Sequence, residues 1–539
     1  MYRILLALLV TSAFLNAKVT LKEIESKPAC HARNFLIWQY LRQDINSKQA
    51  EQAYKNLYGK NRKVTRLYRK KVKHKTPPSS NKPHCEKKKN ILEIKDDRCF
   101  KSAINSYVTL YMSDKEREMV AKRVKESWRL KLIKIQSEPY KASAYKKYDS
   151  DTVLRMFLNS PKKFRRKNLD MKLDKRFINR LSKSYKFPAF VKMVLVDKKL
   201  KKLRRSLLGV SAKYIDSSTN FQLGLFHLQN NKAQKAQQHF KVASKKAKKN
   251  SVKEKNIFWL YQASKNKKYL KKLAKAKNIN IYTLYAKELL HKKVHNYFAR
   301  ASKLSTKSCP VDITDPFVWY KIQKKIKQTP RQKLWGVAKK YKYKDALPVY
   351  SYILEKAYGY EQYAYIMPYD NYLKDIDDDQ KALIYALMRQ ESRFIPSALS
   401  SSFALGLMQL MPFLVDEIAQ KSKEKVDYNE MFQPKKNLEY AIKHLKWMEK
   451  LYYHPLFTAY AYNGGVGFLR KHLKTGAFRK GKYEPFLSME LMQNSESREY
   501  GKKVLANYVM YKKILGQEVS LIALLKSSLV PKLTDKYRK

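Results

Sequence analysis

Residues Asp377–Pro412 read DDDQKALIYALMRQESRFIPSALSSSFALGLMQLMP, and the reading of this stretch decides the fold around it. Three acids, Asp377, Asp378 and Asp379, open it, where carboxylates accept the free N–H groups of a helix N-terminus. Leu383, Ile384, Leu387 and Met388 then recur as one apolar stripe of an amphipathic helix. One further turn puts Glu391 where the period asks for a leucine. Burial on that stripe and the negative end of the helix dipole both disfavour the Glu391 anion. Arg389 and Arg393 favour the anion, but as neighbours two residues away they point off its face. If burial dominates, Glu391 is a carboxylic acid near neutrality, the state a general acid needs. Otherwise it is a helix-end carboxylate paired with a Lys or Arg. On this helix alone both readings stay open.

Ile395-Pro396 is expected to end the helix, because proline disfavours helical geometry in the residue before it. The loop Ser397–Ser402 leads to Gly406-Leu407-Met408-Gln409-Leu410-Met411-Pro412. Gly406 permits close approach of backbone to a ligand, and Gln409 both donates and accepts hydrogen bonds. Further on, Ala459-Tyr460-Ala461-Tyr462-Asn463-Gly464-Gly465 places rings and an amide at a helix end with a glycine cap.

ALMRQESRF, GLMQLMP and AYNGG, in this order and spacing, resemble the catalytic domain of soluble lytic transglycosylases, the goose-type-lysozyme-like family that cleaves peptidoglycan. Glu496-Ser497-Arg498-Glu499-Tyr500, with Val504-Leu505-Ala506 and Tyr508, is similar to that family's closing E-x-R-x-Y element. The resemblance covers roughly residues 365 to 515 and departs at two positions. Leu405 stands where the family commonly has Ser, and Gly464 where it commonly has Ala. The resemblance implies that Glu391 is the catalytic acid, that Gly406, Met408, Gln409 and Tyr462 line sugar subsites, and that Glu496 contacts glycan or its acetamido group. Asn463 is assigned to the same site, chiefly as the residue fixing the local turn, and Tyr462 can equally be core. No metal and no cofactor are implied.

Glycosidases usually need two carboxylates, about 5–5.5 Å apart when retaining and about 6.5–9.5 Å when inverting. Glu391 is the only carboxylate on an apolar stripe in these motifs, and Asp379 lies more than three turns, roughly 18 Å, upstream. A one-carboxylate site works if the substrate supplies its own nucleophile, as the 2-acetamido group and C6 hydroxyl of N-acetylmuramic acid can. The expected product is then a 1,6-anhydro sugar. Alternatives are simple muramidase hydrolysis and a non-catalytic peptidoglycan-binding scaffold.

The remainder of the chain supports this reading. MYRILLALLVTSAFLNA (1–17) reads as a secretory signal peptide, which implies a periplasmic address and no membrane span after cleavage. Four cysteines, Cys30, Cys85, Cys99 and Cys309, suit an oxidising compartment, and Cys85 with Cys99 closes the shortest loop. Only 13 Gly and 18 Pro in 539 residues favour long helices over many short strands, and the length asks for two or three domains. Phe221–Leu228, Ala233–Ala247 and Ile257–Ala263 are amphipathic helices of the kind that stack as an α-solenoid. The expected fold is predominantly all-α. With the resemblance it divides into a signal peptide (1–17), an α-superhelical ring (18–304), linker helices (305–364) and a lysozyme-like catalytic domain (365–539). A fragment beginning near Ala301 keeps every motif and is expected to retain the chemistry on short glycans.

His444 falls off the stripe formed by Leu438, Ile442, Leu445 and Met448 and receives no role. The net charge of +71 suits attraction to a polyanion, but the lysines are scattered through every segment, as a general compositional bias would leave them. A nucleic-acid partner is not expected, because that needs a cytoplasmic address. The implied partners are peptidoglycan strands and proteins of wall synthesis or hydrolysis, met by a monomer at the wall or outer-membrane periphery.

Overall fold

The computed structural model describes residues 19–72, 91–124 and 127–538. The signal segment and Cys85 therefore lie outside the described residues. The fold is all-α: 62% of it is helical. The two short strands Tyr297–Phe298 and Tyr363–Ala364 pair in parallel. Of the cysteines, Cys99 is disulfide-bonded, while Cys30 and Cys309 carry free thiols.

The chain forms two compact units, one of residues 1–77 with 277–539 and one of residues 78–276. The second unit contains the expected stack of helices. Ser217–Gln229 packs on Ala233–Lys246, which packs on Asn250–Ser264 and then Lys267–Ala274. Asp216 caps the first of these by accepting from Ser218 N and Thr219 N, and Lys265 ends the third in left-handed backbone at φ 56°. Phe221, Phe240 and Trp259 interlock as the core of the stack.

The first unit is cut differently from the expected segments, since the boundary expected at residue 304 falls inside it and residues 19–72 belong to it. The reason is a cluster of rings. Phe35 and Trp38, on the helix His31–Tyr40, are buried against Phe403, with ring centres 5.4 and 5.7 Å away. Tyr428 and Phe432 complete the cluster. Asn61 Nδ2 and Lys63 Nζ donate to the carbonyls of Ser401 and Ser402 at 3.0 and 2.7 Å. An N-terminal segment thus holds the loop that leads into Gly406–Gln409. The helices Pro316–Gln328, Leu334–Lys339 and Leu347–Ala357, from the stretch read as linker, share a core that includes Ile395, four residues beyond Glu391.

Candidate active site

The helix Asp378–Glu391 begins as expected, with Asp377 accepting from Gln380 N at 2.9 Å, and its stripe Leu383, Ile384, Leu387 and Met388 is buried. It ends at Glu391, earlier than Ile395-Pro396 would impose. The cause is backbone conformation: Arg393 and Phe394 both take positive φ, 56° and 67°. Such non-glycine geometry costs about 1–3 kcal/mol per residue and persists only where surroundings enforce it. Arg393 is anchored by Glu355, which is 3% exposed, and Phe394 by the burial of its ring. The Glu355 carboxylate pairs with Arg389 at 2.8 Å and Arg393 at 3.0 Å and accepts from Ala364 N. Both arginines are therefore committed to Glu355, and neither is among the groups acting on the Glu391 proton.

Glu391 is half-buried, and desolvation pushes its pKa up to about 7, with the Glu496 charge adding in the same sense. Tyr500 acts in the opposite direction, because its hydroxyl donates to Glu391 Oε1 at 2.6 Å and favours the anion. Tyr500 itself is 4% exposed, and burial beside the carboxylate holds its phenol protonated. It comes from the helix Ser495–Ile514, which packs against both Asp378–Glu391 and Pro455–Gly464. Lys502 anchors this helix, since its buried ammonium reaches Glu490 at 2.8 Å, Glu499 at 3.0 Å and the Tyr282 hydroxyl at 3.2 Å. Tyr500 was visible in the sequence only as the last letter of E-x-R-x-Y. Nothing local marks it as the partner of Glu391, 109 positions away.

Of the other expected site residues, Tyr462 and Glu496 lie within electrostatic reach of this pair. Tyr462, whose phenol is influenced by the Glu391 charge, donates to the Met408 carbonyl at 2.7 Å. The Met408 side chain is fully buried, and its N–H donates to Asn437 Oδ1 at 2.9 Å. The Met408 thioether is thus out of a ligand's reach, and its backbone joins Tyr462 to Asn437. Gln409, at φ 49°, donates from Nε2 to the Ala398 and Gly406 carbonyls, both at 3.0 Å, which leaves its Oε1 as the atom to offer outward. Asn463 accepts from Ser497 Oγ at 2.8 Å and reaches Glu496 Oε1 at 3.4 Å, locking the helix end to the start of Ser495–Ile514. Glu496 is exposed there. Leu405, in the place of the family's Ser, is buried, so no hydroxyl is available at that position. His444, read as peripheral, lies closer than its place on the helix suggested, 5.9 Å from the Tyr462 ring and stacked on Trp447. Burial lowers its pKa.

Gly406 makes room for the protein and not for a ligand. It takes φ 69°, and a Cβ there would lie 2.0 Å from the Met431 carbonyl oxygen and 2.4 Å from Asn437 Nδ2. Gly406→Ala is expected to cost about 3 kcal/mol or more, combining left-handed strain with a clash against backbone. Thermal unfolding measures this, and an unchanged Tm would show that the turn can re-form. At Gly464, the methyl of the family's alanine would lie 2.6 Å from the Phe468 ring and 2.9 Å from Ser497 Oγ. The glycine here and the Phe468 ring are therefore complementary.

Glu391 is thus a carboxylic acid poised near neutrality and steadied at one oxygen by a buried tyrosine, the state general acid–base chemistry requires. Residues 371–484 match the family described as Transglycosylase SLT domain, so the chain carries a domain of that family. Curated relatives include the soluble lytic murein transglycosylases of Salmonella typhimurium, 29% identical over 150 residues, and of Escherichia coli K12, 29% identical over 142 residues. These alignments cover 27% and 26% of this chain and 23% and 21% of the relatives, so the matched stretch spans under a quarter of their length. Among solved structures, an inactive mutant of the lytic transglycosylase Slt from Pseudomonas aeruginosa aligns over 93% of this chain and 84% of its own, with 13% identity and a TM-score of 0.48. The 70-kDa soluble lytic transglycosylase in complex with bulgecin A aligns over 96% and 85%, with 14% identity and a TM-score of 0.49.

Proposed function

We propose that this protein is a peptidoglycan lytic transglycosylase that cleaves the β-1,4 bond between N-acetylmuramic acid and N-acetylglucosamine. The single observation that carries this reading is the Glu391 carboxyl, raised to about 7 inside the SLT-matched segment. In the first step Glu391 gives its proton to the glycosidic oxygen as the C1–O bond breaks, and the 2-acetamido oxygen stabilises the developing positive charge at C1. In the second, the C6 hydroxyl attacks C1 and returns its proton to Glu391, closing the 1,6-anhydro ring without water. Tyr500 holds Oε1, which fixes the carboxyl rotamer and leaves Oε2 for the travelling proton. The Gln409 Oε1, the Tyr462 ring, the Met408 backbone, Asn463 and Glu496 position the sugars. Gly406 serves the site by shaping its loop.

A hydrolytic muramidase is the second reading, favoured by one observation: the Glu496 charge acts on Glu391 and could ready a water. Release of soluble fragments from purified sacculi by the wild type and not by Glu391→Gln tests the shared assignment, and active Glu391→Gln would refute it. The proposal extends to a secreted, periplasmic protein working at the wall, with residues 1–17 as its signal peptide and an α-superhelical region ahead of the catalytic domain. No helix among the described residues is long and apolar enough to cross a membrane.

Tyr500→Phe separates orientation from burial. Removing a donor that favours the anion raises the Glu391 pKa further, so the alkaline limb of the rate profile should move to higher pH. The rate below that limb should fall at least about tenfold, because Tyr500 also stabilises the carboxylate that develops as the proton leaves, and a hydrogen bond to a charged group is worth about 1.5–3 kcal/mol. A limb that moves down, or stays put in a folded variant, would remove Tyr500 from the proton's environment.

A further inference from the structure

In the second unit, outside the Glu391 site, four aromatic rings adjoin one another. Tyr107 and Tyr111 lie one turn apart, with ring centres 5.0 Å apart. Tyr111 meets Phe164 at 6.4 Å and 75°, and Phe164 meets Tyr140 at 5.3 Å and 87°. Folding normally hides such rings. Yet Tyr107, Tyr111 and Tyr140 are 58%, 60% and 42% exposed, while Phe164 is part-buried and rests on the hydrophobic core beneath.

The segment that carries Phe164 is cationic. Phe164 sits within Lys162-Lys163-Phe164-Arg165-Arg166-Lys167, and the backbone widens into a π-helical turn over Arg165–Leu169. Turns of this kind interrupt regular helices frequently at functional sites. Two of the cations serve the fold: Arg165 donates to the Ser160 carbonyl, and Arg166 pairs with Asp197 at 2.8 Å. Lys162, Lys163 and Lys167 are exposed and have no carboxylate within ion-pair distance among the described residues. The acids nearest in sequence to the rings are already taken. Glu138 is held by Lys147 and Tyr148, and Asp114 by Arg117.

We infer that Tyr107, Tyr111, Phe164 and Tyr140, edged by Lys162, Lys163 and Lys167, form a binding platform for a peptide-bearing glycan strand. Sugar rings offer flat C–H faces that stack on tyrosine, and the stem peptides offer carboxylates to the lysines. The choice of ligand rests on the function proposed above. Rings beside cations would also suit single-stranded nucleic acid, which makes that ligand the natural counter-test.

The test uses the full-length chain in the Glu391→Gln background, so that sacculi survive the assay. Tyr107→Ala/Tyr111→Ala/Tyr140→Ala and Lys162→Gln/Lys163→Gln/Lys167→Gln are compared in co-sedimentation with purified sacculi. Because all six side chains are exposed, circular dichroism should be unchanged. Each triple variant should weaken sacculus binding at least about fivefold, the lysine effect shrinking as salt rises. On sacculi stripped of stem peptides by an amidase, the lysine effect should vanish and the tyrosine effect remain. In the active background, turnover of short soluble glycan fragments should equal that of the wild type. Undiminished sacculus binding by both variants overturns the platform, as does tighter tyrosine-dependent binding to a single-stranded oligonucleotide. A wild type that binds sacculi through these tyrosines yet releases no fragments would instead refute the catalytic reading alone.

Discussion

Glu391→Gln is expected to fold like the wild type and to lose at least about 10²–10⁴-fold in turnover, the usual contribution of general acid–base catalysis. The substitution keeps the shape of the side chain and a group able to accept from Tyr500, so packing around the helix end should survive. What it removes is the ability to give a proton to a leaving oxygen and take one back. In the wild type this ability has a pH signature. The catalytic form is the protonated one, so activity should fall as pH rises through about 7, the folded-state pKa of Glu391. Glu391→Gln should retain no limb there. A variant that folds and keeps near wild-type activity would remove Glu391 from the chemistry altogether.

Phe35→Ala/Trp38→Ala should lower turnover of short soluble fragments by about 10²-fold, because a misplacement of about 1 Å can cost that much. Both rings cover Phe403, itself fully buried at a positive φ of 63°, in the loop that runs into Gly406 and Gln409. Each truncation costs about 3–5 kcal/mol of local packing and leaves the Phe403 strain without its cover. The effect should appear in kcat, with the Glu391 pH limb unmoved, since neither ring touches that carboxyl. Full activity in the double variant would reduce the N-terminal segment to a passive neighbour. The same geometry changes the expectation for a fragment starting near Ala301. That fragment keeps every motif but loses Phe35, Trp38, Asn61 and Lys63, together with Tyr282, whose hydroxyl lies in the Lys502 cluster. It should therefore be impaired even on short glycans.

These two expectations mark where sequence reading was strong and where it stopped. The period of Leu383, Ile384, Leu387 and Met388 is local information, and it correctly put Glu391 at the edge of a buried face, where desolvation raises its pKa. Asp377 as cap and Gly465 as helix stop, at φ 85°, were readable for the same reason. The helical stack from Ser217 to Ser264 was legible because each helix carries its own amphipathic face. Distant contacts were not. Tyr500 on Glu391, Glu355 between two arginines, and Phe35 on Phe403 each join segments separated by tens to hundreds of residues, and no period encodes them. Gly406 shows a subtler limit. Its need for a bare α-carbon was readable, but its neighbours turned out to be Met431 and Asn437.

The most direct measurement is mass spectrometry of the fragments released from sacculi by the wild-type protein in water enriched in heavy oxygen. Ring closure by the C6 hydroxyl should give muramic ends one water lighter than hydrolysis products and free of the label. Muramic ends that carry the heavy oxygen would contradict it, because water and not the C6 hydroxyl would then have attacked C1.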